Sequence, residues 1–273
     1  MIDIEKLSNS VPDTQEGSYI GENGLRFCAN CNSPLETLFE VPELNIRRKV
    51  NAMCKCTAER LRREEEAKEL NRTVIINRQI GFPEADMEEY TFEKDDKANA
   101  RVTTAMQSYV EHFGELKEQG KGLLLYGDVG TGKTFHAACV VNALIDKGFP
   151  CLMTNFARLV NTLQGMYEGK QEYIDSLNRF SLIVIDDLGA ERQSEYMQEQ
   201  VYNIIDNRYR ARLPLIITTN LTIEEIKKPQ CVGNARIYDR LLEVCHPIEV
   251  AGISRRRQHI RENYADMQKL LGL

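Results

Sequence analysis

No apolar run in this 273-residue chain approaches the roughly 20 residues that span a bilayer, so a membrane-spanning helix is not expected. The first ten residues, MIDIEKLSNS, lack the basic and apolar regions of a secretory leader, and the cytoplasm is the expected compartment. Positive charge is in deficit: 35 Lys and Arg against 41 Asp and Glu give a net charge of −6. Such a chain is not an indiscriminate polyanion binder, and any nucleic-acid contact must come from a local basic surface. Histidine is scarce. None occurs before His112, so a Cys₃His metal site cannot form in the region ahead of it. Internal repeats and low-complexity tracts are also missing, which sets repeat architectures aside.

Hydrophobic residues make up 42% of the chain, enough for a sizeable core, and the length favours two domains. The eight cysteines fall into two groups. Cys139, Cys151, Cys231 and Cys245 sit among apolar residues and read as small buried hydrophobes. Cys28, Cys31, Cys54 and Cys56 form CANC and CKC, separated by 22 residues. In a cytoplasmic protein such a set points to a metal site before a disulfide framework, and four thiolates suit structural zinc, with free structural thiols and an iron–sulfur cluster as the alternatives. Asn30 and Asn32 tolerate the tight backbone of a knuckle, and metal would supply the folding energy that so short a segment lacks.

Residues 1–27 are polar and read as a flexible lead. ERLRREEEAKEL, 59–70, reads as a solvated helix with Glu59/Arg63 and Glu64/Lys68 at i, i+4. Three regions are expected: 1–70 carrying the cysteines and this helix, an irregular connector at 71–96, and a large domain at 97–273. In the last, short apolar strands at 122–126, 150–154, 181–186, 213–218 and 247–250 alternate with helical patterns. That alternation predicts an α/β fold with a parallel sheet covered on both faces.

LLLYGDVGTGKTFHAACVV, 123–141, joins a buried strand to a helix through G-x-x-x-x-G-K-[ST], the P-loop pattern. Gly127, Asp128, Val129, Gly130, Thr131, Gly132, Lys133 and Thr134, with Phe135 at the head of the helix, are the expected phosphate cradle. Backbone N–H groups and the helix N-terminus favour anions, Lys133 can reach the β- and γ-phosphates, and Thr134 can ligate Mg²⁺. FSLIVIDDLGAER ends an apolar strand in two aspartates, which calls for a cation nearby. Asp186 is the expected Mg²⁺ ligand and Asp187 the group that orients the attacking water. LPLIITTNLT places Asn220 at another strand end, beside the γ-phosphate position. NARIYDRLLEV sets Arg236 and Arg240 on one helix face, and SRRR opens a terminal helix with Arg255, Arg256 and Arg257.

Taken in order, GDVGTGKT, LIVIDDLGAER, the TTN strand end, RIYDRL and SRRR resemble the AAA+ ATPases of the DnaC/DnaI-like bacterial helicase loaders, and the IstB transposition ATPase is similar. The resemblance covers about residues 97–265. It implies a P-loop NTPase sheet in the order 5-1-4-3-2 with a reduced, single-helix C-terminal lid. It also implies ATP-dependent self-association around single-stranded DNA, and an N-terminal zinc domain that grips a DnaB-type replicative helicase. By motif, Asn220 matches sensor 1, Arg240 the arginine finger completing the next subunit's site, and Arg255 sensor 2. ATP, Mg²⁺ and Zn²⁺ are the implied cofactors. Many relatives carry Glu where Asp187 stands, so slow ATP turnover is expected. The competing roles are a transposition helper that recruits a transposase and a non-hydrolysing adaptor. NFARLVNTLQGMYEGK, 155–170, is a candidate DNA-facing element, with Arg158 and Lys170 toward phosphates and Phe156 or Tyr167 toward bases.

Overall fold

The computed structural model describes residues 17–82, 85–189, 195–229 and 232–271. The chain divides into two compact units, Met1–Asn71 and Arg72–Leu273.

In the first unit, β1 (Ser18–Ile20) pairs antiparallel with β2 (Arg26–Cys28), and β3 (Glu36–Val41) with β4 (Ile46–Asn51). The part of the expected flexible lead that is described is therefore a hairpin. Its turn closes through Gly24 N–H to the Gly21 carbonyl at 2.9 Å, and the Tyr19 ring stacks on Phe27. The β3–β4 hairpin turns through a 3-10 helix at Pro42–Leu44 and Asn45, which takes left-handed φ. Helix α1 (Lys55–Gly81) outruns the expected 59–70 segment by more than two turns. Its ion pairs include Arg60–Glu64 and Arg62–Glu66, the reverse polarity of the expected Glu-to-basic pairs. Among the described residues of this unit only Cys28, Ser33 and Cys54 are buried. Apolar burial therefore does not explain its fold.

The second unit holds α2 (Ala100–Glu111), α3 (Phe113–Glu118), β5 (Gly122–Tyr126), α4 (Lys133–Asp146), β6 (Cys151–Asn155), α5 (Phe156–Gln164), α6 (Lys170–Ser176) and β7 (Leu182–Leu188). After these come α7 (Glu195–Arg210), β8 (Leu215–Thr219), α8 (Ile223–Lys227), α9 (Val232–Val244), β9 (Cys245–Glu249) and α10 (Arg255–Leu271). The sheet runs β6-β7-β8-β5-β9, all parallel. Numbered from β5, that is the implied 5-1-4-3-2. The five strands coincide with the apolar runs because a parallel strand covered on both faces needs no polar alternation. One core packs α2, α3 and α4 against the sheet, and another packs α5, α7 and α9. Helix α4 is buried almost all round, and Cys139, Cys151 and Cys245 are buried as small hydrophobes, whereas Cys231 lies outside the described residues. Burial pushes each of those three thiols up to about 12.

The described part of the segment expected as an irregular connector contains the end of α1 and 3-10 helices at Ala85–Glu89 and Phe92–Lys94. Buried Asn142 on α4 donates to the carbonyls of Met87 (3.0 Å) and Tyr90 (2.9 Å), stapling it to the second unit. After β9, α10 is the one helix among the described residues. No described helix is long and apolar enough to cross a membrane.

Candidate functional site

At the C-terminal end of β5 the chain turns through the P-loop. Gly127 has φ of +143°, and a Cβ there would lie 2.6 Å from the Val250 carbonyl oxygen, so glycine is required for strand closure as well as for the turn. Helix α4 starts at Lys133, earlier than periodicity suggests, because Gly132 can cap it in left-handed conformation. Thr131 Oγ1 donates to the Asp128 carbonyl at 3.0 Å and closes the loop.

Lys133 Nζ donates to the carbonyls of Gly127 (2.8 Å) and Asp128 (2.7 Å) and to Asn220 Oδ1 (2.8 Å). Burial pushes its pKa down, and the nearby Asp187, Asp186 and Asp128 carboxylates oppose that shift. Asn220 Nδ2 donates onward to Asp187 Oδ1 at 2.7 Å. Three strand or loop ends thus share one chain of hydrogen bonds. Thr134 Oγ1 lies 2.9 and 3.1 Å from the two Asp186 oxygens, and Thr218 Oγ1 donates to Asp186 Oδ1 at 2.5 Å. Burial raises the Asp186 pKa, partly offset by those hydroxyls. A hydroxyl and a carboxylate at this spacing are the hard oxygen donors that Mg²⁺ takes. Asp187 is not a regular strand residue. The β7–β8 register shifts between Ile185 and Leu188, and Asp187 sits at φ +61°. The bulge turns consecutive aspartates to separate tasks: Asp186 to Thr134, Asp187 to Asn220.

These residues line a cavity of about 580 Å³, together with Val129, Gly130, Phe135, Arg255 and Arg256. Tyr90, from the segment before α2, stands 5.5 Å from Phe135 between ring centroids. Arg255 reaches this cavity from the first turn of α10. Arg257 presents its backbone N–H to Ser254 Oγ. Asp96, which sequence patterns do not single out, grips Arg255 through two 2.7 Å bonds. Thr218 and Tyr90 also line the cavity, and of the two only Thr218 lies in a recognisable pattern, the TTN strand end.

Arg240 is partly buried in its own chain. Its guanidinium pairs with Asp206 on α7 and lies over the rings of Tyr202 (4.6 Å) and Tyr209 (5.3 Å). A carboxylate and two aromatic faces in the same chain are a better partner than solvent. Arg236, one turn earlier on α9, is exposed. The 155–170 element needs correction. Phe156 is 1% exposed and belongs to the core, so it cannot stack on a base. Tyr167 is fully exposed between α5 and α6, Arg158 is exposed, and Lys170 Nζ lies 5.8 Å from the Tyr196 ring. Ala190, Glu191 and Arg192 lie outside the described residues.

In the first unit the four sulfurs of Cys28, Cys31, Cys54 and Cys56 lie within 4.8 Å of one another. Cys54 and Cys28 come to 3.2 and 3.6 Å from Cys56, and none of the four is in a disulfide. Tetrahedral zinc, with Zn–S near about 2.3 Å, separates its thiolates by about 3.8 Å. The donor set and spacing therefore fit zinc. Asn32, at φ +52°, donates its N–H to the Cys28 carbonyl at 2.9 Å and closes the knuckle.

A model of the IstB-like ATP binding protein family matches residues 50–263. The chain belongs to this family. Among curated relatives, the replicative helicase loader DnaI of Bacillus subtilis is 24% identical over 268 residues, covering 93% of this chain and 82% of that protein. The replicative helicase loader DnaC of Escherichia coli is 28% identical over 189 residues, covering 66% and 73%. A crystal structure of DnaI superposes with a TM-score of 0.53 at 26% identity, over 66% of this chain and 98% of that one. As an IstB-like ATP binding protein, the chain has the AAA+ P-loop fold with a five-stranded parallel sheet. The family match begins inside β4 and so includes Cys54 and Cys56 but not Cys28 and Cys31. The similarity to DnaI reaches further toward the N-terminus.

Proposed function

We propose that this protein is an ATP-dependent loader of a ring-shaped replicative helicase, of DnaB type, onto single-stranded DNA. ATP binding and hydrolysis act as its assembly switch. The observation that carries this reading is the unbroken hydrogen-bond chain Lys133–Asn220–Asp187 beside Thr134–Asp186, in one cavity at the strand ends. In it, Lys133 and the P-loop from Gly127 to Phe135 hold the phosphates, and Thr134 and Asp186 hold Mg²⁺. Bound Mg²⁺ supplies charge neutralisation at the phosphate oxygens. Asp187 and Asn220 orient water. The shorter Asp187 side chain favours slow turnover, suited to a switch. Arg255 reads the nucleotide from the head of α10.

Subunits assemble through these sites. Arg240, paired with Asp206 in the single chain, completes the neighbour's nucleotide site, and exposed Arg236 on the same helix is the second candidate. Arg158, Lys170 and Tyr167 are the groups of the 155–170 element that meet DNA.

The cysteine unit, folded on Zn²⁺, is the helicase-binding domain. Its presence favours loading over transposase recruitment, because the DnaI similarity takes in 93% of the chain. The test is co-purification of a purified ring helicase with the full chain, with and without ATP, alongside ATP turnover with and without single-stranded DNA. We expect ATP-dependent helicase capture and a DNA response that Lys133→Ala abolishes. Capture of a transposase and not a helicase would reverse the assignment.

A further inference from the structure

Asp96 lies in EKDDK, outside every motif of the site, and is 159 residues from its partner. Its carboxylate takes the Arg255 guanidinium side-on, Nε to Oδ2 and Nη2 to Oδ1, each at 2.7 Å. Nη1 donates to the Thr131 carbonyl at 2.5 Å, inside the P-loop, and the Arg255 backbone N–H donates to Gly130 at 2.9 Å. A second tie lies three residues on, where Asn99 Nδ2 donates to the Ala251 carbonyl at 2.9 Å in the turn before α10. Residues 96–99 therefore clasp the start of α10 at two points, while the P-loop holds it at two more. Neighbouring Asp95 does not share the task, since its Oδ2 accepts from Thr103 on α2.

Arginine offers five donors in a rigid fork, and a phosphate is best held by two of them in parallel. Here Nε and one donor of Nη2 are given to Asp96 and one donor of Nη1 to Thr131. A phosphate oxygen pair can take Arg255 side-on only where Asp96 now sits. Asp96 and Arg255 both line the nucleotide cavity, so the exchange needs no large movement.

We propose that Asp96 is a positioning residue that occupies the side-on fork of Arg255 until a triphosphate displaces it, so that ATP binding unclasps residues 96–99 from the head of α10. The proposal rests on the reading of the cavity as an ATP site. Asp96 thereby sets how strongly the site prefers ATP over ADP. It lowers ATP affinity by competition and links nucleotide state to the helix that follows Arg255.

The test is titration calorimetry of ATP and ADP on the full chain and on Asp96→Asn, with amide hydrogen exchange measured without nucleotide. Asn keeps the shape and one acceptor but loses the charge. ATP should bind about tenfold tighter, the worth of one charge-assisted hydrogen bond, while ADP affinity changes less than about twofold. Exchange at residues 96–99 and at the head of α10 should rise. Adding Arg255→Gln to Asp96→Asn should erase the gain in ATP affinity. Weaker ATP binding by Asp96→Asn, or equal shifts for ATP and ADP, would overturn the latch while leaving the ATP site intact. No nucleotide binding by the unaltered chain would defeat the site reading first. Arg255→Lys provides an independent check, because it keeps the charge but breaks the side-on fork. Unchanged exchange at 96–99 in that variant would also overturn the proposal.

Discussion

Burial raises the pKa of Asp186, and the hydroxyls of Thr218 and Thr134 offset part of that rise. A carboxyl whose folded pKa lies above its unfolded value favours the fold at pH below the ordinary carboxylate range and loses that contribution as pH climbs through the raised value. At neutral pH the Asp186 charge therefore costs stability, which a cation held there would offset. Asp186→Asn should melt about 2–4 °C higher than the natural chain without nucleotide, for about 1 kcal/mol relieved, and should gain little when Mg²⁺ and ATP are added. Calorimetric scans with and without the ligands decide it, and a lower melting point without ligand would mean that the charge stabilises the fold. The residues of this site were legible in the sequence wherever a strand end and a fixed spacing supplied a pattern: Lys133, Thr134, Asp186, Asp187 and Asn220. Asp96 and Asp206 were not, because each meets its arginine only after the chain has folded back, at no recurring distance from any motif.

Among the elements, β5 tolerates least. Gly122 opens it, and a Cβ there would lie 1.9 Å from the Leu215 carbonyl oxygen on β8. Gly122→Ala should destabilise the second unit by about 3 kcal/mol or more, because neither backbone can retreat within a packed parallel sheet. Gly114 in α3 has nothing within 4 Å of a built Cβ, and Gly114→Ala should be neutral or stabilising by up to about 0.5–1 kcal/mol. Denaturant titration of the two variants compares them directly, and similar midpoints would refute the steric account. The large domain's strands and α4 could be read from the sequence because continuous apolar runs bounded by polar turns mark fully buried strands. The β1–β2 hairpin could not, since strands of three residues carry no usable period. Helix α1 ran past its expected end because no glycine or proline interrupts residues 59–80, and the break comes only at Gly81.

On the scale of the molecule, the two units differ in what holds them. The second has two extensive apolar cores, whereas the described part of the first buries two cysteines and a serine and little else. Zinc should therefore be present at one per chain. Cys28→Ser, or a strong chelator, should remove it and raise amide exchange throughout residues 17–54, while ATP affinity stays within about twofold. Metal-free protein with unchanged exchange in that region would show that the four thiols need no ion. The strand order has a further consequence during synthesis. Strand β5, which carries the P-loop, is the first strand of the large sheet to be made, yet its two neighbours are β8 and β9, the last two. About ninety residues separate Tyr126 from Leu215. At roughly 5–20 residues per second, the ribosome leaves Gly122–Tyr126 with both edges open for several seconds. GLLLY is an apolar segment, so nascent chains stalled before β8 present an adhesive, unpaired strand.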